Sequence, residues 1–177
     1  DTETVIYESW AEIYEKNGQI LELNTYKNCV GSDFEKFHPG IELEKRTGKK
    51  FNWATIDAER EKLIRKRLEQ QKERTGIRHF IECAKAKGLD LAIASSSSRN
   101  WVLGWIEKLE LREYFSAFAN RDDVQKIKPD PELFLTAANL LGIHPREALI
   151  LEDSENGLKA ATAAGIPCAI ITNPITA

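Results

Sequence analysis

The chain has 177 residues, enough for one sizeable domain or for a core of about 100 residues carrying a smaller insertion. Its composition, 42% apolar and 30% charged, excludes a disordered or fibrous chain, and a net charge of −3 gives no global reason to expect nucleic acid or an anionic membrane as partner. No apolar run approaches the roughly 18 residues of a membrane span, and no signal-peptide pattern is read in the opening residues.

The first predicted element is a helix from about Val5 to Asn17, with Ile6, Trp10 and Ile13 on one face and Gly18 as its stop. A second segment surrounds Tyr26. A loop at Gly31-Ser32-Asp33 leads into another helix ending near Gly48, and a long polar helical segment runs from Trp53 to Arg74 on the stripe Ile56, Leu63, Ile64 and Leu68. This half contains no good strand signal. From Gly76 helix and strand alternate. Ile77, Phe80, Ile81 and Ala84 mark a helix closed by Gly88, and Leu91–Ala94 is a short apolar run of the kind buried on both faces. Asp130 is placed to cap a helix with Pro131 at its first position, the stripe Phe134, Ala137, Ala138 and Leu141, and Gly142 as its end. Leu149–Leu151 is the next strand, Leu158–Ala164 the next helix, and Cys168–Ile171 the last strand. Such alternation implies a parallel sheet with right-handed crossovers.

In an open parallel sheet, ligands bind beyond the carboxyl ends of the strands. The residues found there are Ser95-Ser96-Ser97-Ser98-Arg99-Asn100 after the first apolar run and Glu152-Asp153-Ser154 after the second, with Lys126-Ile127-Lys128-Pro129-Asp130-Pro131 between them. Hydroxyls and backbone amides hold phosphate oxygens, lysine balances their charge, and paired carboxylates suit a hard Mg²⁺ ion. The edge is equipped for phosphoryl chemistry.

Ala94-Ser95-Ser96-Ser97, Lys128-Pro129-Asp130-Pro131-Glu132-Leu133-Phe134 and Glu152-Asp153-Ser154 with Asn156-Gly157 resemble motifs two, three and four of the haloacid dehalogenase superfamily. The match is to its phosphatase and beta-phosphoglucomutase-like group, and it runs over essentially the whole chain. The resemblance implies an α/β fold: a Rossmann-like parallel sheet core (residues 1–3 and 76–177) with an inserted all-α cap domain (residues 4–75) that closes over the site. It implies Ser96 as the phosphate-binding hydroxyl, with Ser95 one step away as the register alternative, and Lys128 as the charge-neutralising lysine. Asp153 would bind Mg²⁺ directly, and Glu152 would be a second or a water-mediated ligand. Ser97, Arg99 and Asn100 are carried as further phosphate contacts, beside the plainer reading of helix-start polarity.

The family's first motif, Asp-x-Asp-Gly-x-x-x-Asp-(Thr/Ser)-Glu, is matched only by its tail at Asp1-Thr2-Glu3, and Asp-x-Asp does not occur elsewhere in the chain. By the resemblance, the nucleophilic and acid/base aspartates and the central strand lie upstream of Asp1. A continuation of roughly ten to twenty residues is expected there, since two apolar strands would otherwise lack their shared neighbour. Methionine is absent altogether. Either the chain continues upstream or its methionines are carried in a modified form.

Three cysteines, Cys29, Cys83 and Cys168, are widely spaced, odd in number and without CxxC spacing. They point to a reducing, cytoplasmic setting and away from a disulfide scaffold or a thiolate metal site. His38, His79 and His144 share no metal-ligand spacing and read as structural or exposed. The expected enzyme is a Mg²⁺-dependent phosphatase of small phosphate monoesters that works through an aspartyl-phosphate, as a monomer or weak homo-oligomer. Its rivals are a sugar-phosphate mutase and a non-catalytic phospho-ligand-binding relative. Against the mutase stand Ile6, where such enzymes carry a cap histidine, and Asp33-Phe34, where they carry an arginine. A 2-haloacid dehalogenase would leave the Glu152-Asp153 pair without purpose.

Overall fold

Ile6, Trp10 and Tyr14 recur at helical spacing along α1 (Glu3–Lys16), so one face of that helix is apolar and is covered. The structure, a computed structural model, describes residues 2–31 and 37–176. They fall into two compact units, one holding 2–30, 37–72 and 173–176 and the other 31 and 73–172.

The first unit is helical: α1 is followed by α2 (Leu23–Tyr26), α3 (Pro39–Thr47) and α4 (Trp53–Arg67). Trp10, Tyr14, Leu21, Tyr26, Cys29, Val30, Leu43 and Ile175 form its buried cluster. Two buried phenols find acceptors. Tyr14 donates to the carbonyl of Pro39 at 2.7 Å, and Tyr26 donates to Glu3 Oε1 at 2.5 Å. Burial pushes the Tyr14 phenol up to about 12. His38 caps α3, its Nδ1 accepting from the backbone N–H of Gly40 at 3.0 Å and of Ile41 at 3.3 Å. That gives this histidine a structural role. Helix α4 stops at Arg67, short of the expected Arg74, because Gln70 to Thr75 offers no apolar side chain to extend its stripe. The Gly31-Ser32-Asp33 loop and the Asp33-Phe34 position lie largely outside the described residues; only Gly31 falls within them.

The second unit is α/β. In chain order it contains α5 (Ile77–Ala86), β1 (Ala92–Ser95), α6 (Arg99–Lys108), β2 (Ala117–Asn120), α7 (Glu132–Leu141), β3 (Ile150–Glu152), α8 (Glu155–Ala164) and β4 (Cys168–Ile170). All strand pairing is parallel. β1 pairs with β2, bringing Ser95 opposite Asn120, and β3 pairs with β4, bringing Glu152 opposite Ile170. Among the described residues these are two separate two-stranded sheets.

Helix α7 ties the two sheets together. Its Phe134 packs with Ile150, Ala160, Ala161 and Ile166, its Leu133 and Ala137 pack with Ala119, and Ala94 of β1 touches both clusters. Strand β2 was not expected from the sequence. Four residues, Ala-Phe-Ala-Asn, all buried, are too short to display a period. Asp130 was expected to cap α7 directly. Pro131 instead occupies the cap position, and Asp130 Oδ1 accepts from the Glu132 N–H at 3.1 Å. The helix ends at Gly142, left-handed at φ 68°.

Candidate active site at the strand ends

Strands β1, β2 and β3 all finish in polar residues, Ser95, Asn120 and Glu152, so parallel pairing collects hydroxyl, amide and carboxylate at the carboxyl ends of the sheets. The centre of this edge is an ion pair. Lys128 Nζ donates to Glu152 Oε2 at 2.7 Å, and the two side chains are only 7% and 8% exposed. Lys128 arrives from the loop before α7 and its ammonium lies 4.5 Å from the ring centroid of Phe134, which supplies a cation–π face. The other oxygen of Glu152, Oε1, accepts from the hydroxyl of Ser154 at 2.8 Å and from its backbone N–H at 3.2 Å. Both oxygens of Glu152 are therefore engaged.

Ser154 does two jobs. Its Oγ donates to Glu152 and accepts from the Gly157 N–H at 3.0 Å, which caps α8. The turn leaves no room for a side chain at Gly157, where a Cβ would sit 2.0 Å from Cδ of Glu152. Burial works against an ionised Glu152, but Lys128 and Ser154 outweigh it and hold the carboxyl below the ordinary Glu value. Asp153, next along the chain, goes the other way: burial first, then the neighbouring Glu152 charge, push its carboxyl up.

The serine loop reaches this group through Gly31. Ser96 Oγ donates to the Gly31 carbonyl at 3.0 Å, and Gly31 in turn lies against Ser154, where a Cβ would fall 2.3 Å from Oγ. Its φ of +72° also suits glycine. Ser95 Oγ accepts from the Ser97 N–H at 3.2 Å, and the Ser97 carbonyl accepts from the Arg121 N–H at 3.1 Å. Arg99 is turned elsewhere. Its guanidinium pairs with Asp123, and its backbone N–H donates to Asp122 Oδ2 at 2.7 Å. Burial opposes the charge of Asp123, yet the backbone N–H of Asn120 and then Arg99 keep its carboxyl low. Asn100 is exposed at the second position of α6.

Lys126, Ser154 and Gly157 stand in the sequence patterns without a role of their own, and the structure gives each a structural one. Lys126 contributes its backbone: the Gln125 and Lys126 N–H groups donate to the Glu132 carboxylate at 3.0 and 2.8 Å, fixing the loop that delivers Lys128. Those two bonds hold the Glu132 carboxyl below its ordinary value. A lowered folded value contributes stability at pH above the unfolded value and loses it as pH falls through the folded one. Melting temperatures of wild type and Glu132→Gln should therefore differ at neutral pH, with the gap closing on acidification. Ser154 and Gly157 had a local signal, a cap-type serine three residues before a glycine.

Adjacent carboxylates at a strand end are hard oxygen donors of the type Mg²⁺ takes, usually one or two from protein with water and phosphate oxygens completing the shell. Among the described residues, no group of three or more His, Cys, Asp or Glu side chains gathers as a self-sufficient metal cage, and no helix is long and apolar enough to cross a membrane. In the helical unit, Ile6 packs against the buried cluster.

Residues 1–171 match the model of the haloacid dehalogenase-like hydrolase family. The provisionally named phosphatase YhcW of Bacillus subtilis is 40% identical over 176 residues, covering 99% of this chain and 80% of that protein. A Thermotoga maritima protein named phosphorylated carbohydrates phosphatase is 28% identical over 168 residues, covering 94% of this chain and 76% of its own. Among solved structures, a beta-phosphoglucomutase from Clostridium difficile superimposes with a TM-score of 0.79 at 19% identity, covering 99% of this chain and 81% of that one, a likeness of fold.

Proposed function

From the premise that the chain belongs to the haloacid dehalogenase-like hydrolases, and is a phosphatase-type enzyme of that family, we propose that it hydrolyses small phosphate monoesters, sugar phosphates among them, with Mg²⁺. The observation that carries this reading is the buried Lys128–Glu152 pair beside Asp153 at the strand ends. A lysine held at 7% exposure by a carboxylate and an aromatic face is a fixed positive charge that does not have to reorganise when phosphate arrives.

In this mechanism Lys128 binds the phosphoryl oxygens and balances the charge that builds on them during transfer. Ser96 donates its hydroxyl to one phosphoryl oxygen, giving up the Gly31 carbonyl to do so. Ser95 and Ser97 shape the turn that presents it. Glu152 keeps Lys128 in place, and Ser154 keeps Glu152 in place. Asp153, with Glu152 behind it, would hold Mg²⁺, which when bound offsets phosphate charge. The attack on phosphorus in this reading is by an aspartate carboxylate, giving an aspartyl-phosphate; no Asp-x-Asp spacing occurs among residues 1–177. Arg99 is committed to Asp123, and Asn100 sits on the helix surface, so neither is assigned a phosphate contact.

Phosphate release and isomer formation measured side by side on a panel of sugar phosphates test the proposal. Mg²⁺-dependent phosphate release is expected, falling at least about a hundredfold in Asp153→Ala. Isomer formation without phosphate release would replace hydrolysis by mutase chemistry. Undiminished release by Asp153→Ala would remove the metal assignment.

A further inference from the structure

The turn that follows β2 is tied to the serine loop at several points. The Arg121 N–H donates to the Ser97 carbonyl at 3.1 Å, and the Arg99 N–H donates to Asp122 Oδ2 at 2.7 Å. The Arg99 guanidinium pairs with Asp123 Oδ1. The other oxygen of Asp123, Oδ2, accepts from the Asn120 backbone N–H at 2.8 Å and from Asn120 Nδ2 at 3.4 Å. Asp123 therefore joins the end of β2 to the first residue of α6. Ser95, opposite Asn120 in the ladder, and the serines after it lie between these two anchorages.

Asn120 carries a cost that the fold alone does not require. It is fully buried, after the buried apolar residues Ala117, Phe118 and Ala119, and its Oδ1 has no hydrogen-bond partner among the described residues. A buried carbonyl left unpaired is destabilising, and an apolar side chain would avoid it. What the amide supplies is a second donor to Asp123. The Arg99–Asp123 pair adds little stability of its own, since its side chains are 42% and 25% exposed. Placement of the loop between them gives both features a purpose.

We propose that Asp123, oriented by Asn120, is a positioning residue of the phosphoryl site: through Arg99 it fixes the loop from which Ser96 meets phosphate. This role rests on the phosphatase reading above. Arg99 then acts on the loop and not on the ligand, and the two roles give opposite signs. A carboxylate near a phosphate site repels the anion, and Asp123 also withholds Arg99 from it. Were Arg99 a direct ligand, removing Asp123 would tighten phosphate binding. With Asp123 as the positioning residue, removing it weakens binding, against the electrostatic sign.

Inorganic phosphate, titrated calorimetrically into the full chain with Mg²⁺ present, is the probe. The wild type should bind it, and Asp123→Ala and Arg99→Ala should each weaken binding by roughly tenfold. Asp123→Asn, which keeps an acceptor for Asn120 and Arg99, should fall between them and the wild type, and it tests the same sign if the alanine variant is unstable. The double variant Arg99→Ala/Asp123→Ala should bind no more weakly than either single one, because the second change removes a contact already lost. Arg99→Ala and Asp123→Asn should melt within about 3 °C of the wild type, so that weaker binding is not a loss of fold. Unchanged or tighter binding in both Asp123 variants, or fully additive losses in the double variant, overturns the positioning role and leaves the phosphatase reading in place. A wild type that does not bind phosphate overturns that reading and this role with it.

Discussion

Replacing Lys128 with methionine is expected to destabilise the protein by about 3–5 kcal/mol, because it leaves the Glu152 carboxylate buried without its cation. Ser154 alone cannot compensate, since its hydroxyl and amide already serve Oε1. Equilibrium urea unfolding measures the loss, and a change below about 1 kcal/mol would show that the pair is solvated rather than buried. Adding Glu152→Gln to the Lys128→Met background should recover part of the stability, because removing both charges is cheaper than stranding one. The pH dependence has a definite sign. In the wild type, the lowered Glu152 carboxyl contributes stability above the ordinary Glu value and loses it as pH falls through its folded value. In Lys128→Met the stranded carboxylate gains by protonation, so the gap between the two proteins should narrow toward acid.

Gly157→Ala is the second large effect. An added methyl group would overlap the Glu152 carboxylate, at 2.0 Å from Cδ and 2.3 Å from Oε1, and it is the candidate site at the strand ends that would have to move. A loss of at least about 3 kcal/mol is expected from the overlap, the upper end of what overpacking costs. A helical glycine would ordinarily be improved by alanine by up to about 1 kcal/mol, so the result has the opposite sign from helix propensity. Thermal or urea unfolding decides it. Stabilisation by Gly157→Ala would mean that Glu152 is not wedged against α8. Phosphate release should fall with stability, because the displaced Glu152 no longer holds Lys128.

The alternation of helix and strand after Gly76 was legible from short apolar runs bounded by glycine-stopped helices, as at Leu91–Ala94 and before Gly142, although among the described residues β1 is only half-buried and β4 is largely exposed. β2 was not, because Ala117–Asn120 has no alternation and carries its information in what packs on it, Leu133 and Ala137. At the site, Glu152 and Asp153 could be named from their position after a strand, and Lys128 from the loop between the strands and the resemblance that loop carries. Their division of labour could not. That Glu152 spends both oxygens on Lys128 and Ser154 depends on a side-chain geometry set by the α8 cap and by the space at Gly157. Arg99 illustrates the converse. A cation at a helix start after the serine loop looks like a ligand contact, but the guanidinium pairs with Asp123 and the backbone N–H with Asp122, both more than twenty residues away in sequence.

Two short sheets that share one helix have a consequence for how the α/β unit opens. β1 and β2 form one hydrogen-bonded block, β3 and β4 another, and no ladder among the described residues runs between them. Among the described residues, the blocks are coupled by side-chain packing on α7 and by Ala94 of β1, which touches both clusters. The Lys128–Glu152 pair joins the loop entering α7 to the end of β3, so it closes the same seam a second time. A contact given a chemical role in the proposed mechanism is thereby also a fastening between the two halves.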